Sequence, residues 1–245
     1  MKKLLLPLPS LLVTHVTTYV MTFVKVFMTV LVTASSVHIA ANAQEAKAEL
    51  KGDIKAGERK IAMCIGCHGI AGYQASFPEI YKVPKISGQG SKYIVSALNA
   101  YAKGDRKHPT MRAIAQSMTE QDMLDLGAYY EVHGVVAGAP ALPKAPEGSA
   151  KVSSLLAKGA CASCHGANFA APIDPTYPKI AGQHGDYLFV ALKSYKTENN
   201  PKVGRANGVM GGIAKQFTNA EMKELAGYIS ALPGDLKIVP QAKFR

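Results

Sequence analysis

Apolar and polar residues repeat one helical rhythm in two separate stretches of this chain. Ile94, Ala97, Leu98 and Tyr101 keep the i, i+3, i+4, i+7 spacing of a single helix face, and so do Leu188, Ala191, Leu192 and Tyr195. Each set predicts a middle helix with one buried side. Downstream, Thr119 with Asp122 and Thr218 with Glu221 have the form of N-cap and N3 residues at a helix start, with Asp replacing the usual Glu or Gln in the first copy. Met118 with Met123, and Phe217 with Met222, then fall at the N′ and N4 positions of a hydrophobic staple, which makes these methionines packing residues. Between the two patterns, His133 to Ala150 has no amphipathic period and contains Pro140, Pro143 and Pro146, so it reads as an extended, fairly stiff linker.

The N-terminal 43 residues differ from all of this. They hold no acid and three lysines (Lys2, Lys3, Lys25), and they end in Ala41-Asn42-Ala43, the small-x-small pattern of a signal cleavage site. A translation start at Met21 would make Lys25 the positive region and Val26 to Val32 the apolar run, with cleavage after Ala43. The alternative is a retained membrane anchor over Leu4 to Val24, a reading weakened by Pro7, Pro9 and His15. With the leader removed, the net charge of +11 on 245 residues becomes +8 on 202. Hydrophobic residues at 48% and charged residues at 18% exclude a disordered or fibrous chain. The expectation is an exported protein with its signal peptide removed.

An even cysteine count in an exported protein usually means disulfides. Here, however, all four cysteines lie in two copies of one motif, Cys64-Ile65-Gly66-Cys67-His68 and Cys161-Ala162-Ser163-Cys164-His165. Cys-x-x-Cys-His is the signature of covalent haem attachment: two thiols reach the vinyl groups of one porphyrin, and the adjacent histidine becomes the proximal iron ligand. A zinc ribbon also pairs Cys-x-x-Cys, but its pairs lie roughly 15–20 residues apart, against 97 between Cys64 and Cys161. A thioredoxin-type redox pair needs a strand–helix–strand setting that is not evident, and both alternatives leave the two histidines unexplained. Two covalently bound haem c groups are therefore expected.

The motifs head a longer repeat. Pro84-Lys85-Ile86-Ser87-Gly88-Gln89 in the first copy matches Pro178-Lys179-Ile180-Ala181-Gly182-Gln183 in the second, which indicates two duplicated domains. They are placed at residues 44–134 and 151–245, with the linker at 135–150. Each is small for an independent core, so haem should be important for folding. A haem that only carries electrons needs a sixth ligand, commonly Met. Met118 corresponds to Phe217 and cannot be a shared ligand, whereas Met111 and Met210 lie 43 and 45 residues after their histidines, both in Met-x-x-Ile-Ala contexts. They are expected in a loop before the last helix, folded over the opposite haem face, with core packing as the alternative because Met readily fills gaps. His108 and His184 could ligate instead, but their counterparts are Asn207 and Gly90, and a duplicated module should use a duplicated ligand. Arg106 and Arg205, each five residues before its methionine, suit either a haem propionate or a solvated surface.

Together the two haem motifs, the two Pro-Lys-Ile-x-Gly-Gln segments, the two Met segments and the two last helices ending near Tyr129 and Tyr228 resemble the cytochrome c4 family over about residues 52–233. The resemblance implies an all-α protein of two tandem class I cytochrome c domains, related by approximate twofold symmetry with haem edges facing across the interface. It also implies that the carbonyls of Pro84 and Pro178 accept a hydrogen bond from the proximal histidines. The first copy carries three more residues than the second between haem motif and proline.

Two His/Met sites leave no open coordination position, which favours an electron carrier over an enzyme. The resemblance supplies the expected partners: a quinol-oxidising cytochrome complex as donor and a terminal oxidase as acceptor, in the periplasm. Its rival is a haem subunit of a periplasmic thiosulfate or sulfide dehydrogenase, or such an enzyme itself, for which no Cys ligand or acid/base constellation is found. Residues 44–134 carry +2 and residues 135–245 carry +6. That asymmetry suggests electrostatic docking on acidic redox partners led by the second domain, although the charge could equally serve solubility. Export and haem attachment argue against nucleic acid, and membrane contact is expected to be peripheral at most.

Overall fold

The two predicted buried faces become the central helices of two similar bundles. A computed structural model describes residues 50–241; the leader, with Met21 and the cleavage point at Ala43, lies outside the described residues. The first half contains α1 (Ile54–Glu58), α2 (Ala62–His68), a hairpin of β1 (Gln74–Ala75) and β2 (Tyr81–Lys82), α3 (Ser91–Lys103), β3 (Arg106–Lys107), α4 (Pro109–Gln116) and α5 (Glu120–Val132). The second half contains α6 (Ala150–Lys158), α7 (Ala162–His165), α8 (Gly185–Lys196), β4 (Gly204–Arg205), α9 (Gly208–Lys215) and α10 (Asn219–Ala231). The extra residues of the first copy before Pro84 include the β1–β2 hairpin, which has no partner strand pair in the second half among the described residues.

Both last helices begin with the expected capping boxes. The Thr119 side chain accepts from Asp122 N at 3.1 Å while Asp122 accepts from Thr119 N at 2.9 Å, and Thr218 and Glu221 repeat the exchange. The staple partners behind them are core: Met123, Phe217 and Met222 are buried and Met118 packs on the first cluster. In that cluster Ile61 and Ile65 meet Ile94 and Leu98 of α3 and Leu126, Tyr129 and Tyr130 of α5. Burying each such aliphatic chain contributes roughly 1.5–3 kcal/mol. Helix α1 lies unusually close to α5 because Gly57 has no side chain; a Cβ there would sit 2.2 Å from the Asp125 carbonyl oxygen.

Asp125 itself is buried yet fully paired. Its carboxylate accepts from Asp53 N at 2.8 Å, Gln121 Nε2 at 2.7 Å and Lys60 Nζ at 2.5 Å. Burial opposes its ionisation, but Lys60, the Asp53 amide and Gln121 outweigh that cost and hold the carboxyl below its ordinary range. It thereby ties α5 to the start of α1 and to the turn that leads into α2.

Between α5 and α6 the chain has no helix or strand, as its prolines dictate. It is fastened to the second half: Asn168 Nδ2 donates to Leu142 O at 3.1 Å and Tyr228 Oη to Pro146 O at 2.5 Å. The chain after α10 crosses the other way. Lys237 N donates to Ser87 O at 3.0 Å, Lys237 Nζ to Gly134 O at 2.9 Å and Gln241 Nε2 to Tyr129 Oη at 3.4 Å, all in the first half. A third junction is the two-stranded ladder of β3 and β4, in which Arg106 lies opposite Arg205. Among the described residues no helix is long and apolar enough to cross a membrane.

Candidate functional site

Each Cys-x-x-Cys-His motif is shaped by a short helix that ends on its histidine. Cys64, Cys67 and His68 lie on α2, and Cys164 and His165 on α7, with Cys161 at its N-cap. All four cysteines are half-buried and free of disulfides. Burial is the main reason the Cys64 and Cys161 thiols are pushed up. His68 Nδ1 donates to the Pro84 carbonyl at 2.8 Å, and His165 Nδ1 donates to the Pro178 carbonyl at 3.0 Å. These bonds fix the tautomer and leave each Nε2 as the free lone pair a metal needs. Burial, opposed by the proline carbonyl, lowers the pKa of both rings, which keeps them neutral. Beyond His165 the chain turns through Gly166 at φ 82°, where a Cβ would lie 2.0 Å from the Ala171 carbonyl oxygen.

Met111 and Met210 occupy matching positions, but in helices rather than in the expected loop: each is the third residue of its helix, α4 or α9. The reason is local. His108 caps α4, its Nδ1 accepting from Met111 N at 3.3 Å, and Asn207 caps α9, its Oδ1 accepting from Met210 N at 2.9 Å. Pro109 at the first helical position sets the direction of α4. His108 thus shares a capping task with Asn207, which explains why a histidine and an asparagine align. Both methionine side chains are half-buried, Met111 against the first core cluster.

Arg106 and Arg205 are brought together at the seam between the halves. Arg106 donates through Nη1 to Tyr93 Oη at 3.1 Å and through Nη2 to Tyr187 Oη at 2.7 Å, and its guanidinium lies 4.6 Å from the Tyr101 ring centre. Arg205 Nη2 donates to Tyr187 Oη at 3.2 Å, over the Tyr195 ring at 5.3 Å. Neither is a freely solvated surface arginine. Burial alone would raise the Tyr187 phenol, but the two guanidinium groups outweigh it and pull its pKa down to about 8. Arg106 Nε is buried without a partner, an open charged donor of the kind a haem propionate would satisfy. The thiol pairs and the oriented imidazoles fit a haem in each half, and the Arg106 donor fits a propionate at the seam.

Two site neighbours escaped the sequence reading. Gln89 and Gln183 are both buried, and each reaches into the other half: Gln183 pairs with the backbone of Lys85, next to Pro84, and Gln89 with that of Lys179, next to Pro178. Their only signal in the sequence was the recurrence of Gln at the end of each Pro-Lys-Ile-x-Gly-Gln segment.

The cytochrome c family profile matches this chain twice, at residues 54–131 and 149–233. Cytochrome c4 of Thiocapsa roseopersicina is 32% identical over 203 residues, covering 78% of this chain and 98% of that protein. The crystal structure of reduced recombinant cytochrome c4 from Pseudomonas stutzeri superposes with a TM-score of 0.54 at 25% identity, covering 74% of this chain and all of that one. A thiosulfate dehydrogenase electron acceptor of Stutzerimonas stutzeri is 25% identical over 177 residues, 68% of this chain and 77% of that protein. With two matched domains and a Cys-x-x-Cys-His motif in each, the chain belongs to the cytochrome c family as a cytochrome c4-like electron carrier with two covalently bound haem c groups.

Proposed function

We propose that Cys64 and Cys67 bind the first haem covalently, with His68 and Met111 as axial ligands, and that Cys161, Cys164, His165 and Met210 do the same for the second. Each haem c supplies a one-electron couple. The Pro84 and Pro178 carbonyls orient the imidazoles, and Arg106 and Arg205 at the seam would hold its propionates. The observation that carries this reading is the paired geometry: in both halves a histidine is fixed Nδ1-to-carbonyl, and in both the third residue of the later short helix is a methionine. Residues 44–134 and 151–245 are the corresponding domains, joined by 135–150.

With a histidine and a methionine holding each iron, the site would exchange electrons without binding substrate. The chain carries electrons in the periplasm, its leader cleaved after Ala43, from a quinol-oxidising cytochrome complex to a terminal oxidase. Optical and magnetic spectroscopy of the oxidised holoprotein tests the ligands. Two low-spin haems are expected, and Met111→Ala or Met210→Ala should each convert one haem to high spin. A high-spin haem in the wild type, or variants that leave both haems low-spin, would overturn the assignment.

A second reading concerns the donor. Similarity to a thiosulfate dehydrogenase electron acceptor favours delivery of electrons from a thiosulfate-oxidising enzyme. Stopped-flow reduction by each purified donor separates the two routes. The more basic second domain should make either association slow as salt rises, and a rate indifferent to salt would remove electrostatic docking.

A further inference from the structure

The two proximal histidines are linked to opposite halves of the molecule through a single peptide group each. The peptide that joins Pro84 to Lys85 offers its carbonyl to His68 Nδ1 and its N–H, at 3.0 Å, to Oε1 of Gln183 in the second half. Gln183 Nε2 completes the pairing by donating to the Lys85 carbonyl at 2.9 Å. The same arrangement runs in reverse: the Pro178–Lys179 peptide accepts from His165 Nδ1 and donates to Gln89 Oε1 at 3.0 Å, while Gln89 Nε2 donates to the Lys179 carbonyl at 3.0 Å. Both glutamines are 4% exposed, and each Oε1 accepts a second bond at 3.0 Å from the following amide, Gly90 N or His184 N. Oε1 faces N–H groups and Nε2 faces a carbonyl, so neither amide can be flipped without losing every bond.

We propose that Gln183 and Gln89 are positioning residues that set the electron-donating strength of the histidine ligand in the opposite domain, His68 and His165 respectively. This rests on the axial roles given above. When Gln183 Oε1 accepts from Lys85 N–H, it polarises that amide and makes the Pro84 oxygen a stronger acceptor, because bonds in a chain reinforce one another by roughly 10–30%. A stronger bond at Nδ1 makes the imidazole more basic at Nε2 and favours the ferric over the ferrous state. The exchange is one electron at the iron, and His68 keeps its Nδ1 proton in both states. Each domain therefore holds part of the other's reduction potential, and the docking of the halves is written into the redox couple.

The test is the potential of each haem in holoprotein carrying Gln183→Met, which keeps the side-chain volume but makes no comparable bonds. The ferrous form of the first-domain haem should be favoured by roughly two- to fourfold through loss of one reinforcing bond, about 18–36 mV upward at 59 mV per factor of ten. The second-domain haem should hold its potential, and Gln89→Met should give the mirror result. Equal shifts at both haems would mean a loosened interface, and no shift, or a shift in the substituted domain, would likewise overturn the proposal. Should either variant misfold, wild-type ferrous holoprotein decides: scalar couplings across the hydrogen bonds are expected between Lys85 15N and Gln183 13Cδ, and between His68 15Nδ1 and the Pro84 carbonyl 13C. Absence of the first coupling refutes the link. Failure of the axial assignment shows separately, as a high-spin spectrum.

Discussion

Replacing Asp125 by alanine should be far more damaging than the same change at Glu224, although the two occupy equivalent places in the repeat. Each lies six residues after the capping threonine of its last helix, Thr119 or Thr218. In the first half the carboxylate is buried at 2% exposure and satisfies the Asp53 amide, Gln121 and Lys60. In the second half Glu224 pairs with Lys151 on the surface, their side chains 38% and 61% exposed. Alanine at 125 removes the charged acceptor shared by the Asp53 amide and Gln121, at roughly 1.5–3 kcal/mol for bonds to a charged group, and leaves a small cavity, while Lys60 keeps its ion pair with Asp122. The total is about 2–4 kcal/mol, which at roughly 2–4 °C per kcal/mol for a chain of this size lowers Tm by about 5–15 °C. Glu224→Ala removes an exposed ion pair that contributes about 0–1 kcal/mol. Thermal melts of the holoproteins followed by far-UV circular dichroism at pH 7 would measure both. Equal melting temperatures for the two variants would refute the claim that burial, and not the charge pair, sets the cost.

Acid should weaken the molecule in a defined window. Lys60 and the Thr119 cap hold Asp122 down to about 2 from an ordinary 3.8, so its contribution is complete above about pH 4 and fades as pH falls toward 2. Asp186 is also held low: the Lys82 amide and ammonium group from the other half and the Tyr187 amide overcome the cost of burial. Acid should therefore loosen the seam too, and denaturant midpoints measured from pH 5 to pH 2 should fall monotonically. Tyr187→Phe removes the hydroxyl shared by Arg106 and Arg205, at roughly 1.5–3 kcal/mol for a bond to a charged group; hydrogen exchange at Ala206 N, bonded to Asp105 O across the ladder, should accelerate. At Gly227, exposed on α10 with open space around it, alanine should raise stability by about 0.5–1 kcal/mol. At Gly166 the same change should cut haem occupancy of the second domain, because the new Cβ would meet the Ala171 backbone.

Local chemistry was legible and tertiary reciprocity was not. The capping boxes at Thr119 and Thr218, the staples behind them and the faces of α3 and α8 follow from spacing within one helix, and the structure has them where the pattern puts them. The haem motifs were legible because covalent attachment fixes their residues. The helix around each methionine went unread although its signal was present: His108 and Asn207 each stand three residues before the methionine, the place of an N-cap. Gln89 and Gln183 were invisible for another reason. They bond to backbone, which has no residue identity, and to a different domain, which leaves no periodicity. The Arg106–Arg205 ladder likewise depends on how two halves meet, and nothing within either half encodes it.

The chain after α10 gives this duplicated protein a property that its two copies lack singly. The second match to the family profile ends at residue 233, yet the following residues return to Ser87 and Gly134 of the first half, where Gly134 at φ 75° leaves room for Val239. Since the connecting segment already leads from first to second, the described chain forms a closed circuit that starts in the first copy and returns to it through Lys237 and Gln241. A gene split between the copies would consequently yield unequal products: a first piece with a bare seam, and a second carrying a strap that still fits it. Reassembly of separately expressed halves is thus built into the C-terminus, and a second half ending at residue 233 should rejoin its partner more weakly than one that runs to the end.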